Sequence, residues 1–166
     1  MVEMKILGID PGTARIGWGV IVTDRRMNAR VQTYDCIETD KHQSPEKRLA
    51  RIYESIGAVI AAEIPDTIAV EELYFSKNVT SALAVAHARG VILLAAAHHG
   101  IPVVSYTPQS IKQTICGNGH ADKQQVQRMV ARLLHLRSIP APDDIADALA
   151  VAITHAHHFR LKEATA

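Results

Sequence analysis

Cysteine is nearly absent: only Cys36 and Cys116 occur, eighty positions apart and without C-x-x-C spacing. That excludes a disulfide framework or a zinc ribbon, and two free thiols suit a reducing compartment. Long hydrophobic runs are missing too. The longest, Val91 to Ala97, falls far short of the roughly 18 apolar residues a membrane span needs. No charged n-region or cleavage site marks the N-terminus, so a soluble, cytoplasmic protein without membrane attachment is expected. Charge of one sign is lacking as well, since the formal net charge is only +1. Any contact with nucleic acid must therefore use a local patch. The nine histidines add positive charge only below neutral pH. Internal repeats, low-complexity tracts and linkers are also missing.

What is present is enough for one core. The 166 residues are 48% hydrophobic and 21% charged, which predicts a single α/β domain over 1–166 with a disordered tail from about 160. Lys5–Ile9, Gly17–Thr23 and Arg30–Glu38 carry strand-forming residues between short breaks and predict a three-strand meander. Ser44-Pro45 supplies a cap and a first-turn proline for a helix through Leu49, Ile52, Ile56, Val59 and Ile60, ending near Glu63. "DTIAVEE" predicts a fourth strand, and an alanine-rich helix follows from about Ser81 to His99. "IPVVSY" is a fifth strand. Thr107-Pro108 starts a short helix to Cys116, "GNGHAD" reads as a flexible loop, and helices over Lys123–Leu136 and Asp143–Phe159 complete the chain. The order implies a five-stranded mixed sheet with helices on both faces.

Four carboxylates sit where chemistry collects. Asp10 ends the first strand in "GIDPGT", and the fourth strand ends at the adjacent Glu71 and Glu72, which point to opposite faces, so only one can join Asp10. The crevice beyond strand ends is the usual ligand site of an open α/β sheet. Asp144 and Asp147, at i and i+3, share a helical face beside the apolar stripe of Ile145, Leu149, Ala152 and Ile153. Clustered carboxylates repel one another, and magnesium or manganese relieves that repulsion with hard oxygen ligands. Two such ions about 4 Å apart would clamp the attacking and leaving oxygens of a phosphodiester displacement. His155 lies about 16 Å along the helix from Asp144, too far to share its metal through the helix alone. His155, His157 and His158 are expected at the surface because histidine is often partly exposed.

"GIDPGT", "VEELYFSKN", "QSIKQTICGNGHADKQQVQRMV" and "DDIADALAVAITHAH", in this order, closely resemble the RuvC family of Holliday-junction resolvases from Lys5 to about Phe159. The resemblance implies a ribonuclease H-like fold and a homodimer that makes paired nicks in strands of like polarity at four-way DNA junctions. RuvA and RuvB are the implied branch-migration partners, and T-rich sequence the implied preference. Asp10, Glu71, Asp144 and Asp147 are then the catalytic and metal-binding acids, for two Mg2+ ions replaceable by Mn2+, and Glu71 is chosen over Glu72. Lys112 and Lys123 fall on basic DNA-binding positions of the family, and Tyr74 on its aromatic wedge, beside Phe75 and Lys77.

Two other readings start from the same residues. "GIDPGT" also looks like the phosphate loop of actin-like ATPases, but those close over nucleotide with a second such domain. A junction-binding module without nuclease activity gains nothing from four acids facing phosphates. An RNA-processing nuclease of the same fold fits the "VEELYFSKN" loop less well.

Overall fold

A computed structural model describes residues 3–24, 26, 28–73 and 79–165, with side-chain surroundings described outside 79–81 and 160–165. Strands β1 (Met4–Asp10), β2 (Arg15–Thr23) and β3 (Ala29–Glu38) form the antiparallel meander that the strand-forming runs predict. Ile6, Leu7 and Ile9 of β1 are fully buried although they point alternately to the two faces. A central strand covered on both sides requires this, whereas β3, at the edge, alternates with solvent.

The remaining elements are α1 (Pro45–Glu63), β4 (Thr67–Glu71), α2 (Val79–His98), β5 (Val103–Tyr106), α3 (Pro108–Cys116), α4 (Lys123–Leu133) and α5 (Asp143–Thr165). The sheet order is β3-β2-β1-β4-β5, with β4 parallel to β1 and β5 parallel to β4. Helices cover both faces. Leu7, Ile9, Ile68 and Val70 pack against Ile52, Ile56 and Ile60 of α1 and Ala88 and Ile92 of α2. Ile6, Ile21 and Ala69 pack on the other side, against Ile111 of α3, Val126 and Val130 of α4, and Leu149 and Ala152 of α5.

Helix ends follow local chemistry, with some departures from expectation. Thr107 caps α3 by accepting the Ser110 N–H at 3.1 Å. Ser44 does not cap α1, because its hydroxyl bonds the Glu46 carboxylate instead. Helix α4 stops at Leu133 rather than Leu136, because His135 takes a left-handed φ of 52°. Helix α5 passes Phe159 and runs to Thr165. The "GNGHAD" segment, expected to be flexible, is tied down: Gln113 Oε1 accepts the Gly119 N–H at 3.0 Å and Asn118 Oδ1 the His120 N–H at 3.0 Å.

The seat of α5 against β1 and β2 positions everything that follows. A Cβ at Gly17 would lie 1.9 Å from the Asp144 carbonyl oxygen, and one at Gly8 would lie 2.1 Å from that of Ala148. No side chain fits between strand and helix at either point. The helix answers with a small residue of its own, the fully buried Ala152, which faces Gly8.

Candidate functional site

Strand parity decides which acids meet. Ile9 of β1 pairs with Val70 of parallel β4, so Asp10 and Glu71, each the next residue along, end neighbouring strands on the same face. That face is the one under α5, because Ile6 and Ala69, at the same parity, pack against that helix. Glu72 points the other way. The choice between Glu71 and Glu72, which the residue pattern leaves open, is thus made by the sheet register. Asp10 and Glu71 lie close enough that each carboxyl bears on the other's charge.

Helix α5 brings Asp144 and Asp147 to the pair in its first turns, where the helix dipole favours negative charge. Four carboxylates in one recess repel. Burial first, then Glu71, Asp147 and Asp144, push the Asp10 carboxyl well above the ordinary aspartate range. Burial likewise raises Glu71 and Asp147.

Lys123 answers this charge. Its Nζ stands 2.5 Å from Asp143 Oδ2 and 3.1 Å from Asp147 Oδ2. Burial alone would lower the lysine, but its hydrogen bonds to Asp143 and Asp147 outweigh that and hold it well above the usual value. Lys123 is the first residue of α4, and a reciprocal cap fixes it there: Asp122 Oδ1 accepts the Gln125 N–H at 2.8 Å and Gln125 Oε1 accepts the Asp122 N–H at 2.9 Å. A lysine at a helix N-terminus opposes the dipole, and the acids facing it compensate.

Arg15, at the start of β2, lies with Nε 3.2 Å from Asp144 Oδ2 and with a terminal nitrogen 3.8 Å from Asp143 Oδ1. The Asp144 Oδ2 atom is buried and makes no hydrogen bond, because the Arg15 approach is close but misdirected. Among the described residues no three carboxylate, imidazole or thiol side chains are drawn tightly enough to chelate an ion as they stand. The donor set nevertheless fits one. It consists of hard carboxylate oxygens, one of them buried without a hydrogen bond, in a recess whose mutual repulsion a divalent cation would relieve.

Beside the acids opens a cleft of about 280 Å³, whose apolar floor includes Ile111 and Val126 and whose rim carries Glu71, Asp147, Lys112 and Lys123. Both expected lysines therefore stand at the acid site. Tyr74, Phe75 and Lys77 lie outside the described residues. Of the three histidines expected at the surface, only His157 is exposed. His155 is 5% exposed and pairs with Tyr106, because α5 turns that position into the sheet. Arg15 and Asp143 were not singled out from the sequence. Asp143 adjoins Asp144, and Arg15 shares the strand parity of Gly17, opposite Asp10, so register was the signal for Arg15.

Carboxylates ending two adjacent parallel strands, beneath a helix that carries two more over a 3-2-1-4-5 sheet, define a nuclease of the ribonuclease H-like class. The family model described as crossover junction endodeoxyribonuclease RuvC matches residues 6–155. The crossover junction endodeoxyribonuclease RuvC of Moorella thermoacetica is 57% identical over 153 residues, 92% of this chain and 91% of that protein. A Thermus thermophilus RuvC structure is similar with a TM-score of 0.88 at 36% identity, over 96% of this chain and 97% of that one. Another structure, of Thermus thermophilus RuvC in complex with a Holliday junction substrate, gives a TM-score of 0.87 at 34% identity, over 95% and 96%. The chain belongs to the RuvC family, whose members are metal-dependent endonucleases acting on DNA.

Proposed function

We propose that this protein resolves four-way DNA junctions by paired nicks in strands of like polarity, during recombination and repair. The observation that carries the reading is the four-acid recess itself, with Asp10 and Glu71 from parallel strands facing Asp144 and Asp147 from α5. Asp10 and Asp147 hold metal and help position the attacking water, and Glu71 and Asp144 complete the coordination. The ion is Mg2+, with Mn2+ able to substitute, at two per site; when bound it supplies Lewis-acid stabilisation of the reacting phosphate oxygens.

The chain's own cations bind the DNA backbone around that recess. Lys112 and Lys123 line the adjoining cleft, where ammonium groups suit phosphates. Tyr74 and Phe75 supply a ring to stack on an unpaired base near the branch point, and Lys77 adds charge beside them.

The working unit is a homodimer formed through α2. One face of that helix packs on α1, while Leu83, His87, Gly90, Leu94 and Ala97 form an exposed stripe at helical spacing. Leu83 is 56% and Leu94 48% exposed, and a second copy would bury both. The fold supports one nuclease domain over 1–166, acting with RuvA and RuvB in the cytoplasm. No described helix is long and apolar enough to cross a membrane.

The test is cleavage of a labelled synthetic four-way junction with mobile T-rich sequence, beside a linear duplex, with Mg2+ and with EDTA. Metal-dependent paired nicks confined to the junction, and lost in Asp147→Asn, are expected. Tight junction binding without nicks under any divalent metal would overturn the nuclease reading in favour of a binding module.

A further inference from the structure

A half-buried polar contact connects β5, the strand beside the end of β4, to α5, away from the acids themselves. Tyr106 is the last residue of β5 and stands in register opposite Glu71. Its carbonyl accepts the N–H of Glu72 at 2.8 Å, so Tyr106 anchors the peptide that follows Glu71. Its hydroxyl lies 2.8 Å from Nδ1 of His155 on α5, the helix that presents Asp144 and Asp147. One residue thus holds the Glu71 strand end with its backbone and the acid-bearing helix with its side chain. The tyrosine ring also stacks, tilted, against His158 at 5.3 Å between centroids, and His158 Nε2 is 3.4 Å from the Thr114 hydroxyl of α3.

We propose that Tyr106 and His155 are a positioning pair that fixes the end of β4 relative to α5, and with it the spacing between Glu71 and the aspartate pair. The inference rests on the nuclease reading for its consequence, though not for its geometry. Apolar side chains could fill the same interface without directional contact, but a slippery helix–sheet contact would let the two halves of the site drift. Displacement of a reacting group by about 1 Å can cost on the order of 10²-fold in rate. A hydrogen bond of defined length at the junction of strand end and helix limits that drift. His155 is eight residues beyond Asp147, about 12 Å along the helix axis, so it touches no substrate and acts only through the backbone it holds.

Tyr106→Phe removes one oxygen and retains the ring packing. His155→Leu removes the partner, while His155→Asn keeps an acceptor close to the position of Nδ1. In the metal-free protein, Tyr106→Phe and His155→Leu are expected to speed hydrogen exchange at the Glu72 amide, with no general loss of protection in α5. In single-turnover cleavage at saturating protein, each is expected to slow nicking by about tenfold. Junction affinity stays unchanged, the double variant is no slower than the slower single variant, and His155→Asn retains most of the rate. Wild-type exchange at Glu72 together with a wild-type cleavage rate in Tyr106→Phe would overturn the pair, as would identical losses in His155→Asn and His155→Leu. Failure of the unmodified protein to nick any junction sinks the nuclease reading instead, and the Glu72 exchange comparison still decides whether the pair holds the strand.

Discussion

Gly17→Ala tests whether the close seat of α5 sets the acid geometry. The added Cβ would sit 1.9 Å from the Asp144 carbonyl oxygen, 2.2 Å from its carbon and 2.8 Å from the Ile145 nitrogen. All three contacts are backbone, so no side chain can swing aside. The helix start must retreat by about 1 Å, and forcing an extra methyl into a packed interior typically costs about 1–3 kcal/mol. Asp144 moves with its own peptide, away from Asp10 on β1. A retreat of about 1 Å at one member of the acid set predicts a loss on the order of 10²-fold in single-turnover cleavage, even where the variant is fully folded.

Two assays separate these effects. Urea unfolding at unchanged m reports the stability loss, and cleavage well below the variant's unfolding transition reports the geometry. Gly57→Ala is the control, because its nearest neighbour is the His99 ring at 3.4 Å and the site lies inside α1. There the alanine is expected to stabilise by up to about 1 kcal/mol with cleavage unchanged. If Gly17→Ala were as stable and as active as the unmodified protein, the close packing would have no bearing on the site. If it lost stability yet cleaved at the normal rate when folded, the link between helix seat and acid placement would fail.

The acid recess gives further expectations. Asp10 titrates above its unfolded value, so the folded metal-free protein keeps a proton that the unfolded chain releases; stability in EDTA should fall as pH rises from the ordinary carboxylate range through the raised value. Asp10→Asn should flatten that slope and raise the melting temperature of the metal-free protein at neutral pH while abolishing cleavage; an unchanged slope would refute the burial of charge at Asp10. Metal should stabilise by mass action, by about 2.7 kcal/mol at a hundred times its Kd, and Asp147→Asn should reduce that shift in a thermal melt. Leu94→Arg should yield monomers in sedimentation and lose tight junction binding, since it charges the exposed stripe of α2; an intact dimer would move the interface elsewhere.

How much of this could be read from the residues follows from the range of each interaction. Strands and helices were legible because their signals are local: the strand-forming run of β1 and the Ile52, Ile56, Ile60 spacing of α1 appear in the fold as the residues predict. Asp10, Glu71, Asp144 and Asp147 stood out because acids at element ends are anomalous among apolar neighbours. What escaped depended on register between distant segments. Arg15 reaches Asp144 only because β2 folds back on β1 and α5 crosses both. His155 was expected at the surface because histidine is so often partly exposed, and only the docking of α5 against β5 buries it on Tyr106.

The same dependence explains why glycines without any local role as turns matter most to the site. Gly8 and Gly17 lie inside strands, where glycine weakens the element it occupies. Their use appears only across the sheet, where the missing side chains admit the backbone of α5. Close seating lets Leu149 and Ala152 bury apolar surface against the sheet. Lifting the helix would expose that surface, which opposes the repulsion among the four half-buried carboxylates. Lys123 and Arg15 offset part of that charge from the rim. Electrostatic repulsion that would otherwise open the recess is thus contained by packing, and remains available to be relieved by a bound cation.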